Sequence, residues 1–290
     1  MADATDTQAL PSDRSDFWRR ARRSPNVMIG GALVLIVLVI ALIGPLFIPY
    51  DPTEVDMLSV WAEPGPEHIL GADALGRDIL ARLVLGGRVS LLIAASVLAI
   101  TLTIGTTLGM CAGYFGGWVD TVIMRFVDIV FAFPEIILAI LVAAMMGAGT
   151  GTVIVALSLV WWPGIARMAR SLVLTLRSEM FVEAAVACGT PAHRILFKHF
   201  LPNIVAPLIV RASIGVGFII MAEATLSFLG IGVQEPAPTW GSMIRDGLQS
   251  LRTDPYLALS ASTALGITLV GFNLLGDGLR DILDPRVRDR

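Results

Sequence analysis

Five ionisable side chains interrupt stretches that are otherwise suited to hydrocarbon. Arg125, Asp128 and Glu135 fall within residues 122–146, and Arg211 and Glu223 within residues 204–228. A charge at bilayer depth is costly. Such residues face a bundle interior or water, pair with one another, or mark a solute or proton route. Asp128, Glu135, Arg211 and Glu223 are therefore candidates for lining a path or for structural intramembrane charge. Arg125 and Asp128 fall near one end of their stretch, where an interfacial position accounts for them. Glu223 falls near the far end of its own and can hydrogen-bond the turn that follows. Glu135 directly follows Pro134 and has no such account.

A second group of residues suits mechanical work. Residues 183–203 are polar and basic, between runs that are otherwise apolar. Glu183, Ala184 and Ala185 favour helix. Gly189 can leave a helix through the left-handed region, and Pro191 suits the first turn of the next. Ile195, Leu196 and Phe197 with His193, Arg194, Lys198 and His199 make an amphipathic stretch with a basic face, expected to stop at Pro202. This pattern fits a surface helix among headgroups, or a helix-turn-helix knob gripped by a partner.

Other chemistries lack their residues. The sequence holds no Gly-x4-Gly-Lys-Ser/Thr phosphate loop, no Gly-x-Ser-x-Gly and no His-Glu-x2-His. His68, His193 and His199 do not have metal-ligand spacing, and Cys111 and Cys188 suggest neither a disulfide framework nor a zinc site. The chain is expected not to be an enzyme and to bind no cofactor or metal itself.

These residues are set in a polytopic membrane chain. The 290 residues are 55% apolar and 16% charged, and mean hydropathy is +0.76. Soluble domains average about 45–50% apolar and about 25% charged. A span needs about 20 apolar residues, and six segments qualify: 28–48, 89–111, 122–146, 150–166, 204–228 and 257–275. The first is too long for a signal-peptide core and ends without a cleavage site, so it reads as a retained span after a polar tail, 1–27. Fourteen Lys and Arg fall on the side of the two termini and segment 167–203, and five on the other. The positive-inside rule places both termini and that segment in the cytoplasm. Residues 49–87 then form an acidic, Pro-rich extracytoplasmic segment. Residues 88–275 form the rest of one membrane domain, and 276–290 a cytoplasmic tail. The near-neutral net charge of −3 gives no reason to expect a nucleic-acid partner. Gly105, Gly109 and Gly113 recur at the spacing that lets helices approach closely, for static packing or for sliding.

Several collinear motifs resemble one family. Glu183-Ala184-Ala185-x3-Gly189, ending in His199-Phe200-Leu201-Pro202-Asn203, resembles the EAA loop of ABC importer permeases. The segment Leu70-Gly71-Ala72-Asp73-x-Leu75-Gly76-Arg77-Asp78-x3-Arg82-x5-Arg88 is similar to the segment before the second span in the peptide and nickel branch. The strings Glu223-Ala224-x-Leu226-Ser227-Phe228, Pro238-Thr239-Trp240-Gly241 and Asn273-Leu274-Leu275-Gly276-Asp277 also fit. His199 is usual for the peptide branch. The resemblance runs from about residue 25 to the C-terminus. It implies the second of two permease subunits of a dipeptide or oligopeptide importer, with the all-α, six-span type I importer fold. It also implies the partners: a homologous permease, two cytosolic ATPase subunits that bind ATP and Mg, an extracytoplasmic binding protein, and a peptide substrate. Glu183, Ala184, Ala185, Gly189, Arg194, Lys198 and Pro202 would then form the ATPase-coupling surface. Nickel or another small solute is the alternative cargo. Distant alternatives are a proton-coupled transporter using Glu135 and Glu223, and a scaffold without a path.

Overall fold

The computed structural model describes residues 19–283. Most of the expected N-terminal tail, and Arg286, Arg288 and Arg290 of the C-terminal one, lie outside the described residues. The fold is all-helical, and no strand forms among the described residues; Ala72 and Asp78 make an isolated bridge. The helices are α1 (Pro25–Ile43), α2 (Ile79–Phe115), α3 (Gly117–Phe131), α4 (Glu135–Met146), α5 (Thr150–Arg177), α6 (Met180–Ala187), α7 (Leu201–Phe228), α8 (Trp240–Gln249) and α9 (Tyr256–Leu283).

Five helices are long and apolar enough to cross a membrane: α1 with its 3-10 extension, α2, α5, α7 with the turns before it, and α9. The stretch 122–146 is not one straight helix. It is broken into α3 and α4, set 90° apart. Pro134 supplies the break, because it has no N–H to continue α3 and becomes the N-cap of α4. The helices also overrun their apolar windows. α2 begins ten residues before Val89, where Asp78 Oδ1 accepts from Ala81 N at 2.6 Å and caps it. α5 continues past Ala166 to Arg177, so the segment 167–203 begins as helix.

The longest packed seam joins α2 to α5. A Cβ on Gly105, Gly109 or Gly113 would collide with Trp162 O and Ile165, with Ala166 O and Ala169, or with Val173. Backbones in such contact exclude any larger residue. α1 packs on α9 in the same manner: Gly30 lies against Leu275 N, and Gly278 against Val27. Val34 and Ala41 of α1 are buried, while its other face is open, with Leu35 61% and Leu42 63% exposed, as on a lipid-facing helix. One core cluster gathers Ile79, Ile93, Val97, Ile219, Leu226, Trp240 and Met243. A second gathers Met110, Val173, Val182, Ile195, Phe200 and Ile204. α2 runs from the first cluster to the second, so they mark opposite ends of the molecule.

Residues 47–78 are turns. Asp51 accepts from Thr53 Oγ1 at 2.6 Å and Thr53 N at 2.8 Å. These bonds, that to the hydroxyl foremost, hold its carboxyl below the usual aspartate range.

Candidate coupling surface and intramembrane charges

α6 carries Glu183, Ala184 and Ala185, and Val182 turns inward at 1% exposure. The helix closes at Gly189, which has φ of +73°. Gly189 N donates to Val186 O at 2.9 Å and Thr190 N to Ala185 O at 3.0 Å. This is the Schellman pattern, with glycine at the left-handed position. Pro191 is the N-cap of a short turn, Ala192–Arg194. A π-helical stretch, Ile195–Phe200, leads directly into α7.

The expected stop at Pro202 does not occur. Pro202 sits in the first turn of α7, where a missing N–H costs nothing. The wider turn before it lets the chain pass. Leu201 N donates five residues back to Leu196 O, and Asn203 Nδ2 donates to His199 O at 2.6 Å.

Amphipathicity decides which face is free. Ile195, Leu196 and Phe200 are buried with Val182, Val173 and Met110, and Tyr114 packs edge-on against Phe200 at 5.8 Å. Glu183, Ala184, His193, Arg194, Phe197 and Lys198 are exposed, and Ala185 is half-buried. A groove opens beside them, lined by Tyr114, Arg177, Glu183, Val186 and Ala187. The arrangement is an exposed surface of mixed polar and apolar residues fixed to the ends of α2, α5 and α7, so displacing it displaces those helices.

The four acidic and basic candidates inside apolar stretches have separate environments, and no hydrogen bond or ion pair joins any two of them. Asp128 Oδ1 accepts from Arg167 Nη2 at 2.9 Å, both residues being about half-exposed. Arg167 also lies 4.5 Å from the Phe131 ring centroid. Both oxygens of Asp120 accept from Arg170. α3 is thus tied to α5 by two ion pairs. Glu135 is exposed as the first residue of α4, with no ion pair to any described residue. Arg211 is half-buried on α7, its guanidinium beside Gly164 of α5. Glu223 is fully buried and accepts from Ser90 Oγ at 2.9 Å and Ser227 Oγ at 2.7 Å. The Ser90 bond ties α7 to α2.

At the other end of α2 lies a charge network that sequence reasoning did not assemble. Asp73 Oδ1 accepts from Leu75 N and Arg77 N, and its Oδ2 from Arg77 Nε at 2.7 Å. Arg77 Nη1 donates to Glu235 Oε2 at 2.7 Å, and Arg82 Nη2 to Glu235 Oε1 at 3.3 Å. His68 Nδ1 lies 2.9 Å from Asp78 Oδ2. Trp240 Nε1 donates to Leu83 O at 3.0 Å. The spacing of Asp73, Arg77 and Arg82 was visible. Their partner Glu235, more than 150 residues away, carried no local signal.

Residues 105–289 match the family described as binding-protein-dependent transport system inner membrane component. Residues 12–64 match the N-terminal TM domain of oligopeptide transport permease C. The chain is 41% identical over 276 residues to the glutathione transport system permease protein GsiD of Pectobacterium atrosepticum, covering 94% of this chain and 91% of that protein. It is 39% identical over 275 residues to the dipeptide transport system permease protein DppC of Alkalihalophilus pseudofirmus, covering 93% and 90%. It is 38% identical over 275 residues to the oligopeptide transport system permease protein OppC of Haemophilus influenzae, covering 94% and 88%. Motifs, helical architecture and near full-length similarity agree: the chain belongs to the binding-protein-dependent transport system inner membrane components, as a multi-pass permease subunit of an ABC importer.

Proposed function

We propose that this permease carries short peptides inward and takes its driving force from separate ATPase subunits through residues 183–202. Support for the cargo comes from the relatives, which are named for dipeptides, oligopeptides and glutathione, itself a tripeptide. Backbone polar groups in lipid must be satisfied within helices, so the path runs between helices, shared with a homologous permease. An extracytoplasmic binding protein delivers cargo to the loops at the Asp73–Arg82 end. Both termini and the coupling surface face the cytoplasm, where the partner ATPases hold ATP and Mg.

The observation that carries this reading is the coupling surface. An exposed face of mixed polar and apolar residues, Glu183 to Lys198, is locked by Val182, Ile195 and Phe200 to three long helices. ATPase closure against it would rock those helices, and ATP drives the change only through a free-energy difference between the two states. Glu183 and Gly189 set the shape of the turn, Arg194 and Lys198 act as rim charges, and Asp128, Glu135 and Arg211 are candidates for facing the shared path.

Gly189→Ala tests the reading. A left-handed alanine costs about 1–2 kcal/mol, and its Cβ would meet no neighbour within 4 Å, so the change strains the backbone of the turn without a steric clash. In vesicles reconstituted with the complete importer, peptide uptake per ATP hydrolysed should fall several-fold. Unchanged uptake per ATP would refute the coupling role.

A further inference from the structure

Arg82 is 1% exposed and Arg77 9%, yet each shares one half-exposed counter-ion, Glu235, at 48%. Their other acid, Asp73, is 2% exposed and fixed by two backbone amides. Arg82 Nε lies 3.5 Å from Asp73 Oδ2 and donates no hydrogen bond, leaving a buried donor unused. Glu235 sits in the loop between α7 and α8 and is the one member of the quartet that reaches solvent. If it left, two buried guanidiniums would face a single carboxylate. An uncompensated buried charge is strongly unfavourable, so Glu235 can be exchanged for another anion but not simply removed.

A pocket of about 550 Å3 opens on three members of this quartet, lined by Trp61, Asp73, Arg77, Glu235, Arg245 and Asp246 among others, while Arg82 is buried outside the lining. That volume is in the range of small-molecule sites. The lining offers guanidiniums for an anion, carboxylates for a cation and an indole for an apolar side chain.

We propose that this pocket is a carboxylate site for cargo, in which the terminal carboxylate of a short peptide displaces Glu235 from Arg77 and Arg82. Asp246, which pairs with Arg245 at 3.0 Å, faces the ammonium end of the same molecule. A zwitterion satisfies both signs of the lining at once, whereas an acidic side chain of the delivery protein would supply only the anion. The exchange conserves charge in the buried quartet and frees the loop between α7 and α8 from the end of α2. Cargo arrival would thereby loosen one contact across the mouth of the permease. The inference rests on the reading of the chain as a peptide-importer subunit.

The test uses the full permease pair in detergent, without delivery protein, and alanyl-alanine and its C-terminal amide as probes. Alanyl-alanine should bind at least tenfold more tightly than the amide. Glu235→Gln removes a tethered competitor whose effective concentration is on the order of millimolar. It should tighten alanyl-alanine binding about tenfold and leave the amide unchanged, and the melting temperature of the variant monitors its fold. Equal binding of acid and amide, or no response to Glu235→Gln, would overturn the proposal. So would a variant that captures cargo-free delivery protein more tightly while alanyl-alanine binding stays unchanged, because the carboxylate would then belong to the protein. Uptake by the complete importer separates the two levels. Wild-type vesicles that import no peptide refute the importer reading, while vesicles that import peptide but fail the binding test refute only the pocket.

Discussion

Two buried carboxyls show how partners decide what burial costs. Glu223 at the α7–α2 contact accepts from two serine hydroxyls, one on each helix. Asp254, at the corner between α8 and α9, is 6% exposed. Its Oδ1 accepts from Tyr256 N at 3.0 Å and starts α9, while Oδ2 is buried without a partner. Burial, with a smaller contribution from the nearby Asp73 charge, pushes the Asp254 carboxyl above the ordinary aspartate range. An acid whose folded pKa is raised favours the fold in its neutral form. That contribution is complete below the unfolded pKa of about 3.9 and is lost as pH rises through the folded value. Asp254→Asn should therefore melt higher than wild type at pH 7, with the gap closing as pH falls towards about 4. A gap of constant size across that range would remove charge from the explanation. The sequence marks Glu223 as a costly residue but hides its remedy, because Ser90 lies 133 positions away. Asp254 carries no mark at all, since its burial comes from folding the corner over it.

At the scale of elements, glycine placement is legible and helix ends are not. The i, i+4, i+8 series at Gly105, Gly109 and Gly113 announces a close helix contact, and α5 occupies it with backbone against backbone. Gly109→Leu would drive a side chain into Ala166 O and Ala169. Overpacking typically costs about 1–3 kcal/mol, and rigid backbone relaxes less than a side chain. The variant should melt well below wild type in detergent, whereas Gly151→Leu, where no neighbour lies within 4 Å, should leave the melt unchanged. Equal effects of the two changes would deny that this seam sets stability. The overrun of α2 and α5, the break at Pro134 and the passage through Pro202 were illegible for one reason. A hydropathy window reports which residues tolerate lipid, whereas a helix ends where its backbone donors and acceptors find other partners. Asp78 caps α2 well outside its apolar window. Proline breaks the chain at 134, where it follows a finished helix, and not at 202, where it occupies a first turn.

For the whole molecule, the side of the membrane on which each end lies follows from one measurement. α2 connects the Asp73–Arg82 network to the Tyr114–Phe200 contact, so fixing the side of either end fixes the other. The positive-inside count predicts a cytoplasmic position for residues 183–203. The protein contains its own reporters. Cys188 is exposed at the end of α6, next to Gly189, and Cys111 is half-buried on α2 beside the coupling-end core. A membrane-impermeant maleimide should modify the chain in inside-out vesicles and spare it in intact cells. Cys188→Ser should remove most of the label, because Cys111 is shielded by packing. Assembly with the ATPase subunits should slow modification of Cys188 if they seat on the face formed by Glu183, Arg194 and Lys198. Modification in intact cells would put that face outside, beyond reach of any cytosolic ATPase, and the coupling role would fall. Modification from the cytosolic side at a rate indifferent to the ATPase subunits would keep the orientation and move the docking surface away from α6. The two outcomes separate the charge argument for topology from the packing argument for the coupling surface.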